Sequence, residues 1–488
     1  MKLSVWKIGF AAGCLIISLL GGKAQSFGYG EKSDGAQTID AMQNQPGSNL
    51  ITPLETLELR AENSREAQNF STAGNPTSDQ AEQGKKFEWN FYWKKWEGLY
   101  FLVGQKIEFG GPEGFIPYQV DQEIKVTGKI GAKVAFDAAA FAHDKDLGDV
   151  NDGMEFRRVR VYAQGDLFFF TLPASYKLEW GLTGGRMYFE ENFITFPNIP
   201  AVGSVTIGNF QTPMTLEGVA SSRDITLMEP ASPIQAFAPG VRFGIQAART
   251  AFNERATWAV GLFGDGLARD IGDASQALAR VIGRVTWLPH YKEDPVSPEL
   301  IHLGLGGNYL LLPYGDVRYQ SRPEAHLAPN LVDTGDIPAE NALSLSAEAA
   351  WGKGPYSLQG EYLQAFVKEK DGGNLNFKGF YVSGSWFLTG ESRPYDKTFG
   401  VFGKVLPKKN LSIKNGGLGA WELGLRYSHL DLNDGPVEGG RMNILMGGLN
   451  WYWNPVFKLR FNLGYGDIDK GASSGYLYIF QTRLELNF

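Results

Sequence analysis

The sequence predicts an all-β fold: a transmembrane antiparallel β-barrel of about sixteen strands, preceded by a cleaved leader and a flexible periplasmic lead. Three observations predict it. An export leader opens the chain, alternating segments recur from residue 123 onward, and the last of them ends on an aromatic residue, Phe488.

Lys2 and Lys7 form a basic n-region, residues 8–20 are apolar, and Gly22-Lys23-Ala24 offers small residues at a peptidase site. The run is too short for a spanning helix. Ala11-Ala12-Gly13-Cys14 loosely resembles a lipid-attachment box. Because the apolar run continues through Leu15-Ile16-Ile17, Cys14 sits inside it rather than at its end. Cleavage after Ala24 removes the only cysteine, so the mature chain has neither disulfides nor cysteine-ligated metal. Losing Lys2, Lys7 and Lys23 with the leader takes the formal net charge from −7 to −10. That acidic balance argues against a nucleic-acid partner.

Beyond the leader no long uninterrupted apolar run occurs, which excludes helical spans. The 61 glycines, 32 Phe, 20 Tyr and 12 Trp fit a barrel instead, since only every second wall residue must be apolar. Residues 1–24 are read as leader, 25–110 as a polar N-terminal segment and 111–488 as barrel. Within the lead, Leu54, Leu57 and Ala61 have the spacing of a short helix over 52–66. Phe87, Trp89, Phe91 and Trp93 alternate with polar residues, as either a wall strand or an interfacial segment does.

The wall segments show period two. In the last, Tyr476, Tyr478, Phe480, Leu484, Leu486 and Phe488 share one face, while Gln481, Arg483, Glu485 and Asn487 share the other. Leu459, Phe461, Leu463 and Tyr465 likewise oppose Lys458, Arg460 and Asn462, and Trp421, Leu423, Leu425 and Tyr427 oppose Glu422 and Arg426. Comparable segments lie near 123–142, 153–165, 167–180, 184–194, 203–211, 238–250, 254–263, 276–288, 300–312, 341–352, 355–370, 375–389, 418–430, 440–453, 455–467 and 475–488. An even number brings both ends of the wall to one side, expected to be periplasmic. Aromatics at segment ends (Tyr476, Phe488, Trp451, Trp453, Trp386, Phe387) are expected at headgroup level.

Four stretches, in order, resemble the phosphate-selective porin O/P family. They are Glu155-Phe156-Arg157-Arg158-Val159-Arg160; Gly208-Asn209-Phe210-Gln211-Thr212-Pro213 running on to Ser221-Ser222-Arg223 and Met228-Glu229; Phe387-Leu388-Thr389-Gly390-Glu391; and Gly447-Gly448-Leu449-Asn450-Trp451-Tyr452. The resemblance implies a sixteen-stranded homotrimeric pore in the bacterial outer membrane with a basic lumen. It departs at Pro230, where the family commonly has arginine.

Assigning the polar face of each strand to the lumen places Lys125, Lys129, Lys133, Arg158, Arg160, Arg242, Arg280, Arg284, Arg426, Lys458, Arg460 and Arg483 there. The clear acids on those faces are Glu123, Asp137, Glu422 and Glu485; less clear strands add Lys177, Glu179, Glu348 and Glu361. Basic rings favour anions such as phosphate. The competing expectation is that these bases only neutralise acids across neighbouring strands. Residues 212–237 are long for a turn, contain Pro213, Pro230 and Pro233, and carry Ser221, Ser222 and Arg223. They are expected to fold inward and narrow the pore, the alternative being an exposed loop.

No catalytic constellation or cofactor motif emerges. Gly471-Ala472-Ser473-Ser474-Gly475 has nucleophile-elbow spacing but lies between two strands. Asp467 and Asp469 begin like a calcium loop whose closing position is Tyr478. Asp144, Asp146, Asp149 and Asp152 read as solvated loop, and the histidines 143, 290, 302, 326 and 429 lack ligand spacing. The expected function is passive diffusion of small anions across a lipid outer membrane. A general small-solute pore, a barrel enzyme and a secreted carbohydrate-binding sandwich are the alternatives.

Overall fold

The computed structural model describes residues 89–96, 99–110, 125–169, 172–264, 280–294, 297–310 and 316–488. The leader, the lead with its expected helix, Glu123 and the side chain of Lys125 lie outside the described residues.

Sixteen strands form the wall: β1 (Lys125–His143), β2 (Gly153–Phe169), β3 (Leu172–Gly181), β4 (Tyr188–Ile199), β5 (Gly203–Gln211), β6 (Val241–Ala251), β7 (Ala256–Phe263) and β8 (Arg280–Lys292). They continue as β9 (Glu299–Leu310), β10 (Ile337–Lys353), β11 (Tyr356–Glu369), β12 (Asn374–Phe387), β13 (Ala420–Asp434), β14 (Val437–Tyr452), β15 (Phe457–Asp469) and β16 (Gly475–Asn487). Each pairs antiparallel with the next. The ring closes where β16 pairs with β1, from Leu477 opposite His143 to Asn487 opposite Lys133. Closure leaves the wall no unpaired edge, the condition for strands in lipid. The even count puts the start of β1 and Phe488 at one end of the barrel, here the terminal end; the opposite rim is the far end.

Trp89–Trp96 pairs with Leu99–Gly110, which in turn pairs with the first residues of β1, Gly110 opposite Lys125 through Gln105 opposite Ile130. Further along, the same edge of β1 is taken by β16, so this hairpin lies outside the sixteen-strand ring. Phe488 stands at the junction. Its amide donates to the Ala132 carbonyl at 3.1 Å, and its carbonyl accepts from the Ala132 amide at 2.9 Å and from the Tyr162 hydroxyl at 3.2 Å. Gly131 makes room for this ending, because a Cβ there would lie 2.2 Å from the Phe488 carbonyl oxygen.

Alternation orients the wall. On β16, Tyr476, Tyr478 and Phe480 are exposed, while Leu477, Ile479, Gln481 and Arg483 are buried inward. Outward-facing rings cluster at both rims: Trp421 stacks on Trp451 at the terminal end and Tyr465 on Tyr476 at the far end. Phe387 corrects the expectation of an interfacial ring, since it points inward and packs with Val405, Ala420 and Tyr452.

The inward face is not simply wet. Phe377, Met442, Ile444, Met446, Ile468, Leu477 and Ile479 from β12–β16 join Leu227, Ile234, Phe237, Tyr319 and Val332 from inter-strand segments in one apolar core. Removing such side chains from water stabilises each infolded segment by roughly 1.5–3 kcal/mol per fully buried residue. The β9–β16 side of the interior is therefore filled with protein.

Candidate functional site

The filling begins at residues 212–240, between β5 and β6. Thr215 caps a short helix, α1 (Leu216–Val219), by accepting from the Gly218 amide at 3.0 Å, and Pro233 sits in the first turn of α2 (Ser232–Phe237). Between the helices the chain makes a turn at 222–224 and bends through 225–229, so its carbonyls have no helical partners and must be satisfied elsewhere.

Inward-facing wall cations satisfy them in sequence. Lys458 donates to the Arg223 carbonyl at 2.8 Å, Arg460 to those of Ile225 and Thr226 at 2.7 and 2.9 Å, Arg483 to Met228 at 2.6 Å, and Arg426 to Glu229 at 2.9 Å. The amides are held by carboxylates. Glu361 accepts from Leu216 and Glu217, both at 2.8 Å, Glu217 from Ala231 at 2.8 Å, and Glu324 from Ser232 at 2.9 Å. Residues 212–240 thus lie against inward-facing side chains of the wall.

The same cations also meet acids. Arg483 pairs with Asp137 through two bonds of 2.7 and 2.6 Å and with Glu229 at 2.5 Å; Arg426 pairs with Glu217 at 3.0 Å and Glu324 at 2.5 Å. Burial alone would raise the Glu229 carboxyl, but Arg157 and Arg483 hold it well below the ordinary carboxylate range. Burial raises the Glu217 carboxyl despite Arg426.

A second infolded segment, entering from the terminal end between β12 and β13, is absent from the sequence-based expectation. Arg284 donates to the carbonyls of Phe399 and Gly400, both at 2.8 Å, and to Glu348 at 2.9 Å. His302 bridges Glu348 at 2.9 Å and the Tyr395 hydroxyl at 2.6 Å. Arg393 reaches Gln359 at 2.9 Å and the Asp224 carbonyl at 3.2 Å, so the two infolded segments touch. The only signal that could have found it is length, since 32 residues separate β12 from β13.

Space remains on the β1–β6 side. A cavity of about 490 Å³ is lined by Lys133, Arg158, Arg160 and Lys177 from the wall, by Glu190, Glu191, Glu217 and Glu485, and by Ser221, Ser222 and Arg223 from the first segment. Lys133, Lys177 and Arg160 converge on Glu179 at 2.7, 3.0 and 3.1 Å; Arg160 also pairs with Glu190 at 2.8 Å and Lys177 with Glu191. Arg158 differs. It is only 8% exposed, its Nη1 has no hydrogen-bond partner, and among the described residues no carboxylate lies within ion-pair distance. Among the described residues the Arg223 guanidinium likewise has only the Ser221 hydroxyl, at 3.4 Å. A smaller cavity of about 230 Å³ includes Arg242, Arg280, Arg318 and Asp316 and shares Ala238 with the first. Lys129 is exposed near the terminal end.

Besides Arg393 on the strap, the wall carries an inward cation that alternation does not predict. Arg157 donates to both Glu229 oxygens, at 3.0 and 3.1 Å, although strict alternation turns it outward. The register slips between Ala135 opposite Arg158 and Phe136 opposite Phe156, so β2 carries one extra residue and successive arginines both reach inward.

Residues 126–475 match the family model of phosphate-selective porins O and P. The chain is 30% identical over 369 residues to an uncharacterized protein of Caulobacter vibrioides, covering 72% of this chain and 70% of that one. Against Porin O of Pseudomonas aeruginosa it is 25% identical over 384 residues, covering 68% and 81%. Among solved structures it is similar to an anion-selective porin from Comamonas acidovorans at 15% identity and a TM-score of 0.46, covering 74% of this chain and all of that one. Similarity to OmpT of Vibrio cholerae reaches 12% identity and 0.46, over 77% and 100%. With the family model spanning most of the closed sixteen-strand wall, the chain belongs to the phosphate-selective porin O and P family of the bacterial outer membrane.

Proposed function

We propose that the protein is a passive outer-membrane pore for small anions, with its conducting lane along β1–β8 and the terminal end on the periplasmic side. The observation that carries this reading is the pair Arg158 and Arg223, which face the larger cavity without carboxylate partners. A partly dehydrated anion there meets cationic donors that protein acceptors have not claimed, and guanidinium suits oxyanions because two N–H groups can bind two oxygens. Lys133, Arg160 and Lys177 surround this point, Arg242 and Arg280 continue the lane toward the smaller cavity, and Lys125 and Lys129 lie at its terminal end. In this reading Arg284, Arg426, Lys458, Arg460 and Arg483 position the infolded segments, and residues 212–240 form the constriction. Phosphate is the proposed oxyanion, by family membership, and the homotrimer is the proposed assembly.

Weak selectivity is the second reading, favoured by Glu179, Glu190 and Glu191, which neutralise Lys133, Arg160 and Lys177. Ion substitution in planar bilayers separates the two. Replacing chloride by gluconate should collapse the conductance, whereas replacing potassium by a bulky cation should leave most of it. The reverse pattern would defeat the anion reading.

A further inference from the structure

The segment between β12 and β13 has a second part that the lumen does not use. From Lys397 to Trp421 it carries five lysines and no Asp or Glu, within a chain of net charge −7. Its first half is the infolded strap held by Arg284. Its second half leaves the lumen and hangs on the outer wall. The Leu411 amide donates to the Trp453 carbonyl at 2.7 Å, and Ser412 and Gly417 exchange backbone bonds of 2.9 and 3.1 Å, closing a small hairpin with Ile413 and Lys414 at its tip. The Leu418 carbonyl accepts the indole N–H of Trp421 at 3.2 Å and of Trp451 at 2.9 Å. These two rings stack 4.8 Å apart and alternate with inward Glu422 and Asn450, so they face lipid.

We infer that residues 406–418 form an interfacial clamp for anionic glycerophospholipid in the leaflet at the terminal end. The hairpin sits at the headgroup level that indoles prefer. Beside them Leu406, Ile413 and Leu418 are 57%, 79% and 66% exposed, an apolar surface that soluble faces normally hide. Lys409 and Lys414 are exposed and, among the described residues, make no ion pair or hydrogen bond with the protein. Apolar side chains entering the acyl boundary with unpaired ammonium groups above them match an anionic headgroup in both shape and sign. The clamp is continuous with the lipid-facing belt, which commits the surface to lipid rather than to a second copy or an acidic protein.

The test uses full-length protein in nanodiscs of equal phosphatidylglycerol and phosphatidylcholine, followed by detergent extraction and quantification of retained lipid. Phosphatidylglycerol should be enriched severalfold over its bulk share. Lys409→Gln with Lys414→Gln should lose most of that enrichment, Lys409→Arg with Lys414→Arg should keep it, and ion selectivity in bilayers should be the same for all three. Inorganic phosphate should not displace the lipid. Equal retention of both lipids by the unmutated protein, enrichment indifferent to the glutamine pair, or a changed oligomeric state with unchanged bound lipid would each overturn the clamp, whatever the pore selects.

Discussion

Arg483 on β16 and Asp137 on β1 face each other across the seam where the barrel closes, joined by two bonds of 2.7 and 2.6 Å. The same guanidinium holds the Met228 carbonyl and the Glu229 carboxylate, so one buried group couples barrel closure to the infolded segment. Removing one partner strands the other. Asp137→Asn or Arg483→Met should cost about 3–5 kcal/mol. The midpoint of heat-induced unfolding in detergent, read by the gel shift of the folded barrel, should drop accordingly. A midpoint matching the unmutated protein would mean the seam closes without this pair.

Glu361 anchors α1 by accepting two consecutive amides, and it also accepts from the Tyr381 hydroxyl at 2.8 Å. Glu361→Ala leaves those donors unpaired at roughly 1–3 kcal/mol each. The segment should then loosen, with larger and noisier single-channel conductance; Glu361→Gln should fall between. Unchanged conductance in a folded variant would place the constriction elsewhere.

The Glu229 carboxyl is held below its ordinary value by Arg157 and Arg483. A depressed folded value stabilises above the unfolded value and is lost only as pH falls through the folded one. The part of the conductance that depends on Glu229, read as the difference between the unmutated protein and Glu229→Gln, should therefore stay level through neutral pH and change only in acid. Glu229→Gln should show the acid behaviour at neutral pH. A conductance step within the level range would implicate a different group.

Gly131 leaves no room for a side chain beneath the Phe488 carbonyl. Gly131→Val should slow or block folding of the barrel while export continues, and deleting Phe488 should do the same. Normal amounts of heat-modifiable barrel for both variants would remove the chain end from the closing step.

The wall was legible because lipid on one side enforces period two, and a run such as Trp421 to Tyr427 keeps it without interruption. The expected boundary near 167 proved to lie inside β2, which runs to Phe169, because Leu167 keeps the alternation through an unbroken strand. Arg157 was not legible, since a single extra residue inverts local parity and leaves no compositional mark. Nor could alternation separate Arg158 from Arg460. Both are inward cations, and the partners of Arg460 distinguish them: the infolded carbonyls of Ile225 and Thr226, with Asn450 and Glu485 on the wall. The strap carrying Tyr395 leaves no mark in the sequence beyond its length, since its anchors Arg284, His302 and Glu348 lie on distant strands.

Arg158 is also the most informative residue to exchange, because among the described residues it has no ion pair whose loss would unfold the protein. The zero-current potential across a potassium chloride gradient, measured for the unmutated protein and for Arg158→Glu, tests the proposed lane most directly. The expected potential has anion-selective sign and shrinks or inverts in the variant. A cation-selective sign in the unmutated protein, or a potential indifferent to the exchange, would contradict the proposed lane.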